Sequence, residues 1–249
     1  MTSKKKERAD VLLVRLGLAE TQAKAASLIM AGNVLLGTKR IDKAGETLPS
    51  DAVLTLKEPP HPWVSRGGLK LVKGLKVLEM SVSGFICLDI GSSTGGFTDV
   101  LLTNGAEKVY AVDVGYGILA EKLRQNPKVV LLERTNARHL TEEQIKDPID
   151  LLVCDASFIG LRTVLPAPME FVRENGYMIA LVKPQFEAEK RFLANGIVTD
   201  ENVRKDVCES LSDWVNAHGS WKVLNIVESP ITGAEGNVEY LLIARKTPS

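Results

Sequence analysis

The sequence predicts an α/β protein in which a Rossmann-like, mostly parallel seven-stranded sheet follows a small α+β module. An apolar run over residues 84–90 ends in a glycine-rich loop, and a helical pattern begins directly after it. Apolar strand patterns and helical patterns then alternate along the chain, which is typical of parallel sheets. Three prolines within residues 59–62 indicate an extended spacer before this region.

The N-terminal module is predicted from two short helical patterns followed by two short apolar runs. The first helix is expected over residues 8–16 and the second over 22–30, with Thr21 as its N-terminal cap. Short strands are expected over residues 33–36 and 52–56. These patterns predict a module at 1–58, a linker at 59–64 and a larger domain at 65–249, and by pattern alone the module could be a plain helical cap.

Seven strands are predicted in the larger domain, and helices are expected between the first five. The last pair, at 221–227 and 238–243, is expected to be antiparallel. The strands are expected at residues 84–90, 108–113, 129–133, 149–154, 177–182, 221–227 and 238–243.

Composition excludes several classes of protein. The 249 residues are 45% hydrophobic and 25% charged, as expected of a globular protein. Three cysteines without a C-x-x-C pair and three histidines without ligand spacing predict neither a disulfide framework nor a metal site. No apolar run reaches 18 residues, so the protein is expected to be cytoplasmic and not membrane-spanning.

Charge is unevenly spread although the formal net charge is zero. Residues 1–60 hold ten Lys and Arg against seven Asp and Glu, a balance of 10 − 7 = +3. A basic N-terminal segment indicates a polyanionic partner, although charged runs are more often solvated surface.

The glycine-rich loop has the spacing G-x-x-x-G-G, with glycines at 91, 95 and 96. This spacing matches neither the dinucleotide fingerprint nor a P-loop. Asp89 precedes the loop and favours a cationic or amine-bearing ligand over a pyrophosphate. The loop by itself could be no more than a turn.

Polar residues at the ends of successive strands indicate a cofactor. Asp113 lies 22 positions after Gly91, where an acid can accept hydrogen bonds from ribose hydroxyls. Asn136-Ala137 follow the third strand and are expected at the adenine, and Asp155 follows the fourth. This layout predicts S-adenosyl-L-methionine in a Rossmann-like class I methyltransferase.

Five motifs occur in order: Ser-Arg-Gly-Gly-x-Lys, Asp-x-Gly-x-Ser-x-Gly-Gly-Phe, Cys-Asp-x-Ser-Phe, Val-Lys-Pro-Gln-Phe-Glu and Gly-Asn-Val-Glu-Tyr. On these motifs the chain resembles the TlyA (hemolysin A) family of ribosomal RNA 2′-O-methyltransferases, within the FtsJ-like superfamily. The N-terminal segment, with Arg8-x-Asp10-x-x-Leu13 and Gly32-x-Val34, resembles the αL RNA-binding module of a small-subunit ribosomal protein.

The resemblance implies a Lys-Asp-Lys-Glu catalytic tetrad at Lys70, Asp155, Lys183 and Glu239. We expect Lys183 to be the general base, with Asp155 orienting it, although an ordinary lysine holds its proton at neutral pH. The cofactor contacts are expected at Asp89, Gly91, Ser92, Ser93, Gly95, Gly96, Asp113, Asn136, Ala137 and Asp155. The RNA contacts are expected at Arg8, Arg15, Lys24, Lys39, Arg40 and Arg66.

Ribosomal RNA or ribosomal subunits are the implied partner, with a cytidine ribose of 23S and also of 16S RNA as target. Other readings are a membrane-active hemolysin, a non-catalytic RNA-binding protein with a methyltransferase fold, and a methyltransferase acting on proteins or small molecules. A hemolysin would need a long apolar span or an exposed amphipathic helix. The modified nucleotide and the oligomeric state stay open at this point.

Overall fold

The computed structural model describes residues 6–56, 61–233 and 236–248. The chain divides into two compact units, Met1–Pro62 and Trp63–Ser249. Residues 59 and 60 of the expected linker, and residues 57 and 58 before them, lie outside the described residues. Trp63 packs against the core of the second unit, beside Gly68 and Val100.

The first unit contains both predicted helices, and Thr21 Oγ1 accepts from the Lys24 N–H at 3.2 Å as the expected cap. Its strands form one antiparallel pair, β1 with β4, and a three-stranded sheet in the order β3-β2-β5. The elements are β1 (Lys6–Arg8), α1 (Ala9–Arg15), α2 (Gln22–Met30), β2 (Val34–Leu36), β3 (Lys39–Arg40), β4 (Thr47–Pro49) and β5 (Leu54–Leu56).

Strands β1, β3 and β4 were not predicted, because, unlike the equally short β2 and β5 within the apolar runs at 33–36 and 52–56, they lie outside any apolar run. They form through pairing with partners distant in sequence, as in the register Glu7 with Leu48. The core of this unit joins the apolar faces of α1 and α2 to the strands. Its buried members are Ala9, Leu12, Leu13, Ala25, Ile29, Val34, Ile41, Leu48 and Leu54.

The second unit contains the predicted seven-stranded sheet, in the order β11-β12-β10-β9-β6-β7-β8. Strand β12 is antiparallel to both of its neighbours, as expected for the last pair, and the other strands run in one direction. The strands are β6 (Ile86–Ile90), β7 (Lys108–Val112), β8 (Val129–Leu132), β9 (Ile149–Cys154), β10 (Val172–Val182), β11 (Trp221–Glu228) and β12 (Tyr240–Lys246).

Helices connect most of these strands. They are α3 (Gly68–Leu78), α4 (Gly96–Thr103), α5 (Glu121–Arg124), α6 (Leu161–Val164), α7 (Pro166–Glu170), α8 (Pro184–Glu187) and α9 (Glu201–Asn216). The expected helix between β8 and β9 is wrong, since that fully described stretch holds only turns and a 3₁₀ segment, Ala137–His139. The stretch is mostly polar and ends in Pro148, and its buried apolar residues, Ala137, Leu140 and Ile145, reach the core from the 3₁₀ segment and the irregular backbone after it.

The order of the strands creates a switch point between β6 and β9. The chain runs outward from β6 to β7 and β8, then returns to place β9 and β10 on the other side of β6. Loops that leave the two sides of a switch point diverge, and ligands of open α/β sheets bind in the resulting crevice. The loop after β6 and Asp155 after β9 both begin there.

Two apolar cores cover the two faces of this sheet. Cys87 and Cys154 are fully buried in them, as predicted, and burial raises the pKa of the Cys154 thiol to about 12. No helix within the described residues is long and apolar enough to cross a membrane.

Candidate active site

A cavity of about 510 Å³ opens at the carboxyl ends of β6, β9 and β10. Residues from six separate stretches of the second unit form its walls. They are Ser65, Arg66, Gly67, Lys70, Gly91, Ser92, Ser93, Thr94, Gly96, Phe97, Asp155, Ser157, Phe158, Lys183, Gln185, Phe186, Leu193, Gly196, Gly233, Asn237 and Glu239.

The four charged residues expected to form the tetrad converge in this cavity. Lys70 Nζ lies 2.7 Å from Glu239 Oε2 and 3.6 Å from Asp155 Oδ2. Lys183 Nζ lies 2.6 Å from Asp155 Oδ1. The charges therefore alternate along one continuous row, Glu239–Lys70–Asp155–Lys183. The exposed side-chain fractions of both lysines and of Glu239 are below 10%, whereas Asp155 is 21% exposed.

Lys183 closes strand β10, and its amine also donates hydrogen bonds to Ser157 Oγ at 2.8 Å and to the carbonyl oxygen of Asp155 at 3.3 Å. A buried ammonium is stable only when paired and hydrogen-bonded, and these contacts meet that requirement.

Close approaches at two glycines fix this geometry. A Cβ on Gly233 would collide with the Glu239 carboxylate, so the absence of a side chain there makes room for the Lys70–Glu239 pair. Gly91 has φ +78°, and a Cβ there would lie 3.0 Å from the backbone of Ala156. Gly91 therefore lets the β6 loop pass directly beside the residue that follows Asp155.

The glycine loop also fits the expected cofactor. Gly91, Ser92, Ser93 and Gly96 line the cavity with backbone and small side chains. Ser92 Oγ is buried without a hydrogen-bond partner among the described residues, as is Asp89 Oδ1 beneath the loop. Unpaired buried polar atoms are rare in folded proteins, and Ser92 Oγ, which belongs to the cavity lining, fits a polar ligand such as the methionine end of S-adenosyl-L-methionine.

Asp89 itself lies in strand β6 and is fully buried. Burial raises the pKa of this carboxyl to about 7, and a hydrogen bond donated by the Thr98 hydroxyl at 2.7 Å partly opposes that effect. Asp89 does not line the cavity, and neither does Gly95, which packs against Leu119 and Leu123.

The residues expected at ribose and adenine lie outside this cavity. Asp113, after β7, accepts the backbone N–H groups of Ser93 and Gly115, each at 2.7 Å, so it is tied to the glycine loop. Asn136 Oδ1 accepts the N–H of Arg138 at 3.1 Å, and Ala137 is buried in the apolar core. Their cofactor roles stay predictions.

The residues expected to contact RNA are exposed, and most form ion pairs within the first unit. Their partners are Arg8 with Asp10, Arg15 with Glu7, Lys39 with Glu46 and Arg40 with Asp42. Arg8 lowers the pKa of Asp10 to about 2 through this contact. Lys24 is exposed on α2. Arg66 belongs to the second unit, lines the cavity and donates to the Gly233 carbonyl at 3.5 Å.

Several cavity residues were not predicted individually, although they stand inside the quoted motifs. Phe158 is 90% exposed with φ +63°, and its ring centroid lies 5.4 Å from that of Phe186. Glu187 Oε1 accepts the Leu161 N–H at 2.6 Å, which ties α8 to the end of the Phe158 loop, and burial raises the pKa of Glu187. The sequence signal for Ser157 and Phe158 was their adjacency to Asp155.

Comparison with protein families assigns both units. A model of the FtsJ-like methyltransferases matches residues 63–246, and a model of the S4 domain matches residues 7–54. The chain belongs to the FtsJ-like methyltransferase family. It is therefore a methyltransferase, and S-adenosyl-L-methionine is its cofactor, as predicted.

Individual relatives span nearly the whole chain. The 16S/23S rRNA (cytidine-2′-O)-methyltransferase TlyA of Mycobacterium tuberculosis is 44% identical over 97% of this chain and 90% of its own. Hemolysin A of Brachyspira hyodysenteriae is 39% identical over 90% of this chain and 94% of its own. A solved structure from Streptococcus thermophilus, assigned as a hemolysin, is 42% identical with a TM-score of 0.76, covering 99% of this chain and 90% of its own. The predicted resemblance to the TlyA (hemolysin A) family is confirmed.

Proposed function

We propose that this protein methylates a ribose 2′-hydroxyl of ribosomal RNA, with Lys183 as the general base. The target is a cytidine of 23S RNA, with 16S RNA as a second target, and such a substrate would place the protein in the cytoplasm. The observation that carries this proposal is the convergence of Lys70, Asp155, Lys183 and Glu239 beside the glycine loop. The TlyA relative, named for cytidine-2′-O methylation of 16S and 23S RNA, supports the substrate.

A ribose hydroxyl is a weak nucleophile until its proton is removed, so a base must lie beside it. The bound cofactor supplies an electrophilic methyl group. Lys183, as the neutral amine, accepts the 2′-hydroxyl proton and becomes an ammonium, which Asp155 stabilises at 2.6 Å. Lys70 and Glu239 neutralise each other at 2.7 Å and hold the inner wall, so that Asp155 stays in place.

Recognition of the nucleotide would use the rim of the cavity. Single-stranded or flipped nucleotides commonly stack on aromatic side chains. Phe158 is almost fully exposed and backed by Phe186, so its ring is available to a base. Arg66 at the same rim could pair with a phosphate. The exposed basic residues of the first unit would add contacts to the RNA backbone.

The test is transfer of labelled methyl groups to purified 30S and 50S subunits that lack the modification. We expect the label in a cytidine ribose, detected as a phosphodiester that resists alkaline hydrolysis because its 2′-oxygen is blocked. Lys183→Ala, which removes the base, serves as the matched control and should leave both subunits unlabelled. Label on a base or on a ribosomal protein would contradict the proposal, as would a folded wild-type protein that labels neither subunit.

A further inference from the structure

Ser157 is the cavity residue whose side chain is in closest hydrogen-bond contact with the proposed base. It follows Asp155 by two positions, is exposed and lines the cavity. Its Oγ accepts a hydrogen bond from Lys183 Nζ at 2.8 Å. Asp155 Oδ1 is nearer to Nζ, at 2.6 Å, and forms the ion pair with the amine. Two further contacts hold the amine, the hydrogen bond to Ser157 and one to the Asp155 carbonyl oxygen at 3.3 Å.

An amine that acts as a base must direct its lone pair at the proton that it removes. The long lysine side chain is flexible, so the direction of the lone pair depends on which acceptors hold the N–H groups. A carboxylate holds the ammonium form most strongly, because that hydrogen bond is assisted by charge. A neutral hydroxyl also accepts an N–H of the neutral amine, and it favours the ammonium form less strongly than a carboxylate does.

We propose that Ser157 is a positioning residue for Lys183: its hydroxyl accepts one N–H of the amine and so directs the lone pair towards the substrate oxygen. Lys183 is anchored at the end of β10 and Ser157 on the loop after β9, so the bond also joins the two strands that bring base and carboxylate together. This inference rests on the proposed function, since it takes Lys183 as the base.

The charged groups around Lys183 determine how the loss of the Ser157 hydroxyl would appear in a pH–rate profile. Asp155 faces it from the end of β9, and Lys70 of α3 and Glu239 before β12 stand behind Asp155. All three stay in place when the serine hydroxyl is removed. Because the hydroxyl also accepts from the ammonium, its removal destabilises the protonated lysine, and the acidic limb of the pH–rate profile should move to lower pH.

The test compares Ser157→Ala, which lacks the hydroxyl, with Ser157→Thr, which keeps it. We expect Ser157→Ala to lower kcat roughly ten-fold, a part of the contribution of a placed base. Its KM for ribosomal subunits and its cofactor affinity should stay within about two-fold of wild type. Ser157→Thr should restore both kcat and the position of the acidic limb. Ser212→Ala on α9, outside the cavity, is the matched control and should behave as wild type.

Unchanged kcat and an unmoved acidic limb in Ser157→Ala would overturn the inference. A rise in KM alone would overturn it as well, because the hydroxyl would then contact the RNA and not the base. The two proposals fail separately. Full turnover by Lys183→Ala would refute the base and this inference with it, whereas an inactive Lys183→Ala beside a normal Ser157→Ala would refute this inference alone.

Discussion

The two units of the molecule use charge in opposite ways. In the first unit, Arg40 pairs with Asp42 two positions away and Lys39 with Glu46 seven positions away, and the two basic side chains are 61% and 69% exposed. In the second unit, Lys70 and Glu239 are 169 positions apart, and their side chains are 9% and 2% exposed.

This difference in exposure determines what the exposed charges of the first unit and the buried charges of the second unit can do. Exposed ion pairs are weakened by water and salt, so a lysine or arginine can exchange its carboxylate for a phosphate at little cost. A buried pair has lost its hydration, and removing one partner leaves an uncompensated charge. The first unit is therefore suited to reversible contact with a polyanion, and the second to a fixed catalytic geometry.

The largest effect, on the rate of methyl transfer, is expected at Lys183, which ends the row Glu239–Lys70–Asp155–Lys183. Lys183→Ala should lower the rate of methyl transfer by roughly 10²–10⁴-fold, the usual contribution of a general base. Lys183→Arg should be equally inactive, because a guanidinium does not give up its proton near neutral pH. Single-turnover transfer to ribosomal subunits measures the rate, and calorimetric titration should show cofactor affinity within a few-fold of wild type. Near-normal turnover in either variant would exclude Lys183 as the base.

The buried pair should also matter for stability. Glu239→Ala leaves the Lys70 ammonium with Asp155 at 3.6 Å as its nearest carboxylate, and should lower the free energy of unfolding by about 3–5 kcal/mol. Urea denaturation measures this loss. The matched control is Lys205→Ala, which breaks the exposed Glu201–Lys205 pair on α9 and should leave stability unchanged. Equal effects of the two substitutions would contradict the contrast between buried and exposed charge.

Asp89 is expected to make the free energy of unfolding depend on pH. Its pKa in the folded state, about 7, lies above the ordinary value of 3.8, so the folded protein binds this proton more tightly than the unfolded chain. The stabilisation is complete below the ordinary pKa and is lost as pH rises through about 7, with a slope of at most about 1.4 kcal/mol per pH unit. Asp89→Asn should remove that slope in urea denaturation series between about pH 4 and pH 8. Parallel wild-type and variant curves would show that Asp89 does not titrate in this range.

The smallest effect is expected from a single exposed lysine. Lys24→Ala on α2 should weaken binding to ribosomal RNA several-fold and reduce the slope of log affinity against log salt by about 1, as one phosphate contact is lost. Filter binding at several salt concentrations measures both quantities, with Lys205→Ala as a control that should change neither. An unaltered slope would remove Lys24 from the RNA-binding surface.

Much of the fold could be predicted because its signals are local. The strand at residues 149–154 and the helix at 22–30 appear at the predicted bounds, since each shows its own periodicity and caps. The short strands β1 and β4 could not be predicted, because pairing with each other, and no local pattern, makes them strands. The prediction of a helix between β8 and β9 was wrong for a related reason. It was based on the alternation of helices and strands that is common in this fold class and not on a helical pattern in that stretch itself.

For the candidate site, the identities of single residues could be predicted, but the contacts among them could not. The resemblance to the TlyA (hemolysin A) family singled out Lys70, Asp155, Lys183 and Glu239 but gave no distances among them. Ser157 lies two positions after Asp155 in the sequence. Its contact with Lys183 could not be predicted, because that contact depends on the pairing of β9 with β10. The clearance that Gly233 provides for Glu239 had no sequence signal at all.

The sequence by itself determined the α/β class and the glycine loop, because each depends on neighbours within a few positions. The layout of polar strand ends and the resemblance to a known family indicated the cofactor and the four charged residues. Only the tertiary structure decided which charge faces which, that the row runs Glu239–Lys70–Asp155–Lys183, and that Asp113, Asn136 and Ala137 lie outside the main cavity. The physical reason is that strand order and register determine distances between residues up to 169 positions apart, and burial then keeps those distances constant.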